Sequence, residues 1–403
     1  MGLVLLAFAF LLTAAFAAAA KAPVAGTLDK SFAKDGMISF EAEQAGRGVA
    51  ETRSGRIVQA RVPGIITRFM PNGRIDRSLG GDGSVRTFYK GRRFSPVDLL
   101  VDRRGRIVVL ANCDGCEKGR NYWGAVIRLL PNGRPDPGFA HNGIAIPEFM
   151  SDFSPDEIAF APGGRIVAVA SSPREGSLVF RLRRNGRFDR SFSGDGVRQF
   201  GPESGFRYVN TLAVDKRGRT VIGFNYKKKT RKNPYPRPKL GVARLLRNGR
   251  LDRTFSRDGV ADFVVPDMGG GTVKELTIDR RGRILGTGEN GSLMAPIFRL
   301  TPNGRLDRSF AKIGIDEVAW TSVYSLSVDP KGRIIVVGND APPYGDSSGA
   351  EIYRYKANGF FDPNFRYRGN LYFAYDHLVD SRGRIVVSGS VYDGPALVRL
   401  RNP

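Results

Sequence analysis

One short pattern, a turn ending in Gly-Arg and followed by an apolar run, recurs seven times along the 403-residue chain. Its glycines are Gly55, Gly105, Gly164, Gly218, Gly282, Gly332 and Gly383, spaced by 50, 59, 54, 64, 50 and 51 residues. A second pattern, Asp-x-(Ser/Thr)-Phe or a near relative, begins at Asp29, Asp76, Asp136, Asp189, Asp252, Asp307 and Asp362, alternating strictly with the first. Asn-Gly stands four residues ahead of it in six of the seven cases, from Asn72 to Asn358. Self-similarity of this kind means one structural unit stacked on copies of itself. It excludes the two or three unrelated domains that the chain length alone would suggest.

Each period reads as four short strands. In the fourth they are Val209–Asp215, Thr220–Asn225, Gly241–Leu246 and Val260–Val264. These runs are β-branched, aromatic or aliphatic, are bounded by Gly, Asn, Asp and Pro, and lack a 3.6-residue period. Four strands per unit of this length is the pattern of a propeller blade. The chain ends are complementary. The last strand, Ala396–Arg401, stops where its Asn-Gly turn is due, whereas the N-terminal part supplies the missing phase with a strand at Met37–Phe40. Pairing the two ends leaves no open sheet edge. The expected fold is therefore all-β: a seven-bladed β-propeller of four-stranded antiparallel blades, the last blade closed by the N-terminal strand. It occupies residues 21–403 as a single domain.

The run Arg-Leu-x-x-Asn-Gly-Arg-x-Asp-Arg-Ser-Phe-x-x-Asp-Gly, with Val-Asp-x-x-Gly-Arg-Ile-Val-Val, resembles the delta-60 repeat family of bacterial β-propellers over Gly26–Asn402. The resemblance implies a fold and no established chemistry. A more distant likeness to NHL-type propellers implies that Val209–Asp215 and its equivalents are the inner strands.

Residues 1–20 read as a signal peptide. Leu3–Ala20 is uncharged and, apart from Thr13, apolar, and it ends in three alanines before Lys21. Export follows from this reading, with an uncleaved N-terminal anchor as the alternative, since Met1-Gly2 brings no basic residue. No later segment is long and apolar enough to span a bilayer. Two His and two Cys exclude a His-rich metal site or a four-cysteine zinc site. Cys113 and Cys116 lie in a β-hairpin loop, where a local disulfide fits an exported protein better than redox catalysis does.

The chain carries 63 Lys+Arg against 39 Asp+Glu, a net charge of +24. Much of this recurs once per blade, as in the arginine after each turn glycine and the third-strand set Arg68, Arg128, Arg181, Arg244, Arg299, Arg354 and Arg399. Charge spread around a ring does not make a nucleic-acid stripe, and aromatics recurring as strand anchors make no stacking platform. Nucleic acid is therefore disfavoured. The third-strand arginines are expected to pair with the repeated Asp residues, contributing little if exposed. The acids of the Asp-x-Ser-Phe…Asp-Gly segment read as turn caps rather than a calcium loop, with the Phe tucked between blades.

Alternate connections of an antiparallel blade fall on opposite faces of the disc. The first-to-second-strand turns and the Asn-Gly links are constant in length; the other two connections vary, and insertions in repeat proteins gather on the binding face. The variable face is therefore the expected recognition surface. There, Lys227–Lys239 holds seven cations (Lys227, Lys228, Lys229, Arg231, Lys232, Arg237, Lys239) and no acid. It is a candidate contact for an anionic cell-envelope polymer or a protein. The variable-face loop Asp340–Gly349 reads as a plain connection.

Seven residues before each turn glycine stand Gly48, Asp98, Glu157, Thr211, Glu275, Ser325 and Asp376. Asp98, Glu157, Glu275 and Asp376 are expected to converge on the channel mouth, where a divalent cation would relieve their repulsion. His377 adjoins them. No unique catalytic motif appears. The expected function is that of an exported, monomeric, non-catalytic binding or scaffold propeller. The alternative is a lactonase-like, metal-assisted hydrolase working from the four carboxylates.

Overall fold

The structure, a computed structural model, describes residues 24–40, 45–89, 91–113, 124–227, 237–265, 271–289, 294–319, 321–340, 349–367 and 369–403. Seven antiparallel sheets, each in plain up-and-down order, form the blades of a seven-bladed β-propeller, and a separate two-stranded hairpin, Phe88–Tyr89 with Arg92–Arg93, lies between the first and second. Six sheets have four strands. In the sixth blade three strands pair among the described residues, Thr321–Val328, Ile334–Asp340 and Ala350–Tyr355. On its outer side the Leu371 carbonyl takes the Ala350 N–H (3.2 Å) in place of a fourth strand. Among the described residues no helix is long and apolar enough to cross a membrane.

Blade 4 shows how the hydropathy pattern maps onto the strands: Phe206–Val214, Thr220–Tyr226, Lys239–Leu245 and Val260–Phe263. The inner strand begins three residues earlier than its apolar run, because a register shift between Arg207 and Thr211 lets the chain bend and continue pairing.

The seventh blade closes the ring. Met37–Ser39 pairs antiparallel with Gly394–Leu400, and Asp29 N–H donates to the Arg399 carbonyl at 2.7 Å. Hydrophobic packing lies between blades. Val58, Ala60 and Ile66 of blade 1, for example, pack with Leu99, Val109 and Ile127 of blade 2. The signature aromatics Phe32, Phe139, Phe192, Phe255, Phe310 and Phe365 are buried, as expected.

All seven third-strand arginines pair with their signature Asp at 2.7–2.9 Å; the arginines are buried, as are all the acids but the slightly more open Asp307. The same guanidinium crosses to the next blade. Arg68 Nη1 donates to the Pro131 carbonyl at 2.6 Å, and Arg181 Nη1 to the Arg247 carbonyl at 2.5 Å. Both carbonyls directly precede the neighbour's Asn-Gly turn. That turn is tied a second time through its Asn carbonyl: Ala33 N–H donates to Asn72, and Gly80 N–H to Asn132. Gly73 is needed here, since its φ is +86° and a Cβ would sit 2.6 Å from the Ala33 nitrogen.

The signature acids are the expected turn caps. Asp189 accepts the Ser191 N–H and hydroxyl, while Asp195 accepts the Val197 N–H. Burial acts to raise the Asp189 pKa, but the Ser191 bonds and the Arg165 and Arg181 guanidinia outweigh it and hold the carboxyl at about 2.

Candidate functional site

Every inner strand carries one register shift at the same place. The shifts lie between Gly46 and Val49, Pro96 and Asp98, Pro155 and Glu157, Arg207 and Thr211, Val273 and Glu275, Val323 and Ser325, and Ala374 and Asp376. A bulge leaves backbone groups without a ladder partner and re-aims the side chain beside it. The residue just after the shift lines the channel cavity in five blades, and four of those residues are acids, whereas Val49 and Thr211 are buried.

Asp98, Glu157, Glu275 and Asp376 all line one cavity of about 320 Å³ around the channel. Water reaches them along the channel, so each is half-buried, yet protein surrounds them on the other sides. Three of them bridge to the following blade. Asp376 Oδ2 accepts the Val49 N–H (2.8 Å), Asp98 Oδ2 the Ile158 N–H (3.0 Å), and Glu157 Oε2 the Leu212 N–H (2.8 Å). Asp98 also takes the Leu99 N–H, and Asp376 takes both the His377 N–H and the Ser325 hydroxyl. Glu275 differs, for it accepts no hydrogen bond from any described residue.

Bulge residues complete the wall. Asp156 is a fifth carboxyl in the cavity, and its Oδ2 has no partner. Tyr324 and Tyr375 meet edge-on with centroids 5.9 Å apart, and the Arg47 guanidinium lies 4.8 Å from the Tyr375 ring. The strict position seven residues before each turn glycine does not reach Arg47, Asp156, Tyr324 or Tyr375. The residue immediately preceding that position would have found all four.

Burial dominates the titration of the cluster. It pushes the Asp98 carboxyl up to about 6 against the pull of the Ile158 and Leu99 N–H groups. Asp156 rises to about 7 through burial, against the pull of Ser171 and the Lys274 charge, and Asp376 to about 7 through burial reinforced by the Asp98 charge. Glu157 and Glu275 are raised well above the carboxylate range, first by burial and then by the neighbouring acids. Asp98, Asp156 and Asp376 thus pass between charged and neutral near neutrality.

His377 is 6% exposed, and its Nε2 lies 2.6 Å from the Ser327 hydroxyl, between two blades. Burial drives its pKa down to about 3, so the imidazole is neutral. Its backbone serves Asp376, whereas its ring packs between blades. Among the described residues no three His, Cys, Asp or Glu side chains converge closely enough to hold a metal ion.

Of the basic loop, Lys239 forms a 2.5 Å ion pair with Asp262, Lys227 gives its N–H to the Gly205 carbonyl, and Arg237 is exposed. Lys228, Lys229, Arg231 and Lys232 lie outside the described residues, as do residues 1–23 and 341–348. Cys113 is disulfide-bonded; Cys116, the second cysteine of the chain, lies outside the described residues.

A family model for a β-propeller domain of unknown function, DUF5122, matches residues 330–365, within blade 6. No curated protein matches the chain. The solved structures similar to it include the extracellular domain of a hybrid two-component system from B. thetaiotaomicron, at 13% identity and a TM-score of 0.49. That alignment covers 91% of this chain and 40% of the other, so the chain spans well under half of that protein. A glucose dehydrogenase aligns at 10% identity over 91% and 99% of the two chains, with a TM-score of 0.41. A structure described as a gluconolactonase aligns at 11% identity over 78% and 94%, with a TM-score of 0.36.

Proposed function

We propose that the protein is an exported binding propeller whose channel mouth accepts a ligand through a protonated amine or guanidinium. The observation that carries this is Glu275 together with Asp156. Both line the cavity among like charges, and neither bridges to the next blade as Asp98 and Asp376 do. Ser171, of the same blade, serves Asp156, whose Oδ2 is buried without a partner, and Lys274, whose charge acts on both acids, is itself paired with Glu289 at 2.7 Å. A cationic donor group would supply the missing hydrogen bonds and neutralise the ring, while Tyr324 and Tyr375 offer ring edges and faces to its carbon skeleton. The apolar segment Leu3–Ala20 supports export.

The metal-assisted hydrolase has less support. Both oxygens of Asp98 and of Asp376 already accept backbone N–H groups, so the four carboxylates do not offer a converging oxygen set. His377, buried and neutral, faces no nucleophile in the cavity.

The test is calorimetric titration with spermidine, lysine amide and arginine amide, at pH 8 and pH 5. Binding is expected to be stronger at pH 8, where Asp98, Asp156 and Asp376 are charged, and to fall at least roughly tenfold in E275Q and in D156N. Binding that E275Q and D156N leave unchanged, or binding that strengthens at pH 5, overturns the reading.

A further inference from the structure

The opposite face of the disc has a different character. The seven first-to-second-strand turns, from Thr52–Arg56 to Asp380–Arg384, contain sixteen basic residues and five Asp. All five Asp are consumed within their own turns, Asp215 by Arg219 and Asp279 by Arg283, each at 2.6 Å; Asp102, Asp329 and Asp380 do the same. The next residues along, such as Arg103, Arg104, Arg280 and Arg281, are exposed and make no ion pair with any described residue. The fold does not require them, because blade 3 forms the same turn with Pro162-Gly163-Gly164. The positive charge on this face is therefore surplus to the architecture.

Two further observations bear on what it meets. Lys216, Arg217, Arg280, Arg281 and Arg305 line a groove of about 910 Å³ between blades 4 and 5. Apolar side chains also stand out of the same face: Ile75 (49% exposed), Ile313 (51%), Phe360 (43%) and Phe361 (46%). Phe360 takes the place after Asn-Gly that holds arginine in five other blades. The seam of arginine and backbone bonds between Asn-Gly turns holds these groups on one rigid ring.

We propose that this constant face docks on an anionic lipid surface, with the free arginines on phosphate headgroups and Phe360 and Phe361 entering the headgroup–acyl boundary. Cations dispersed around a whole disc match a two-dimensional array of anions, whereas a linear polyanion would meet only some of them. Exposed aromatics among the cations suit an interface with an apolar layer beneath it. Docking in this way turns the acidic channel mouth away from the bilayer.

The test uses the full chain and vesicles of phosphatidylcholine with or without about 30% phosphatidylglycerol, in a sedimentation assay at low and high salt. Binding is expected only with phosphatidylglycerol, and to fall by roughly a thousandfold in R103S/R104S/R280S/R281S. The variant F360S/F361S, changed on exposed side chains, is expected to lose the salt-resistant part of the binding. Changing Lys227–Lys239 to Gly/Ser, on the other face, is expected to leave binding intact. Equal binding to uncharged vesicles, loss of binding through Lys227–Lys239, or duplex DNA bound where vesicles are not, each overturns the proposal. Melting curves matching the unaltered protein establish that the variants are folded.

Discussion

The inter-blade arginines make a quantitative prediction, because two of them differ in what their removal leaves behind. Arg299 is 2% exposed, holds Asp307 at 2.8 Å, reaches the Ala357 carbonyl at 2.5 Å and lies 4.7 Å from the Phe310 ring centroid. In R299A the nearest remaining cation to Asp307 is Arg283, at 3.9 Å. In R181A, by contrast, Asp189 keeps Arg165 at 2.7 Å. Stranding a buried charge costs about 3–5 kcal/mol. Losing hydrogen bonds while the charge stays paired costs about 1–3 kcal/mol. With an unfolding entropy of roughly 0.8 kcal/mol/K for a propeller of about 380 residues, R299A should lower Tm by ~4–6 °C and R181A by ~1–4 °C. R299K keeps the charge but loses the fork that spans two partners, and should fall between wild type and R299A. Differential scanning calorimetry of the four proteins at one pH gives the ordering. Equal losses in R299A and R181A would falsify the claim that the second arginine is what protects the signature Asp.

Stability should depend on pH in an unusual direction. Asp98, Asp156 and Asp376 titrate near 6–7 in the folded state, against about 3.9 for an unfolded aspartate. Between these values the folded chain holds more protons than the unfolded one, so stability falls as pH rises from about 4 to about 7. The depressed signature acids act below that window, as Asp189, at about 2, shows. Tm measured from pH 4 to 8 should therefore decline across the range, with a shallower decline in E275Q; a Tm that climbs toward pH 8 contradicts the picture. Ring closure can be probed at Asp29, the partner of the 1%-exposed Arg399 and the one signature Asp joined to its arginine from the far end of the chain. D29A should remove amide-exchange protection at Met37–Ser39 well before that of blade 4, and uniform protection loss would argue against closure through this pair.

The blade count, the strand number and the closure by Met37–Ser39 were legible in the sequence because each follows from a period and from where the chain enters it. The pairing of Arg399 with Asp29 was legible too, as one of seven equivalents. Its burial was not, since exposure depends on how blades pack and not on spacing within one blade. Blade 6, with three strands among the described residues, has Arg368 where Asp35, Asp82, Asp195 and Asp258 cap other outer strands. Asn142 and Ile313 stand at the same place in blades that keep an outer strand, so the lost cap does not by itself explain the difference. The acidic ring was found by counting back from the turn glycines. Its hydrogen bonding was hidden, because a bulge such as that between Pro155 and Glu157 changes the face a side chain takes without a composition of its own. The repeat spreads the charge around a ring, and the strand parity that puts the first-to-second-strand turns on one face also puts all the turn arginines on that side of the ring.

The bulges also explain why acids occupy the channel at all. An inner strand that bends leaves an N–H facing the channel, and a carboxylate on the preceding blade satisfies it while linking the two blades. Asp376 to Val49, Asp98 to Ile158 and Glu157 to Leu212 are three cases of one device. Thr211, Ser325 and Gly48 occupy the same position without a carboxylate, so the propeller does not depend on an acid there. Each further carboxyl adds like-charge repulsion, which the raised titration of Glu157 and Glu275 expresses. Glu275 and Asp156 add that repulsion without bridging to the next blade, so inter-blade linkage does not account for them; Lys274 offsets part of the repulsion, and the proposed cationic ligand would remove more of it.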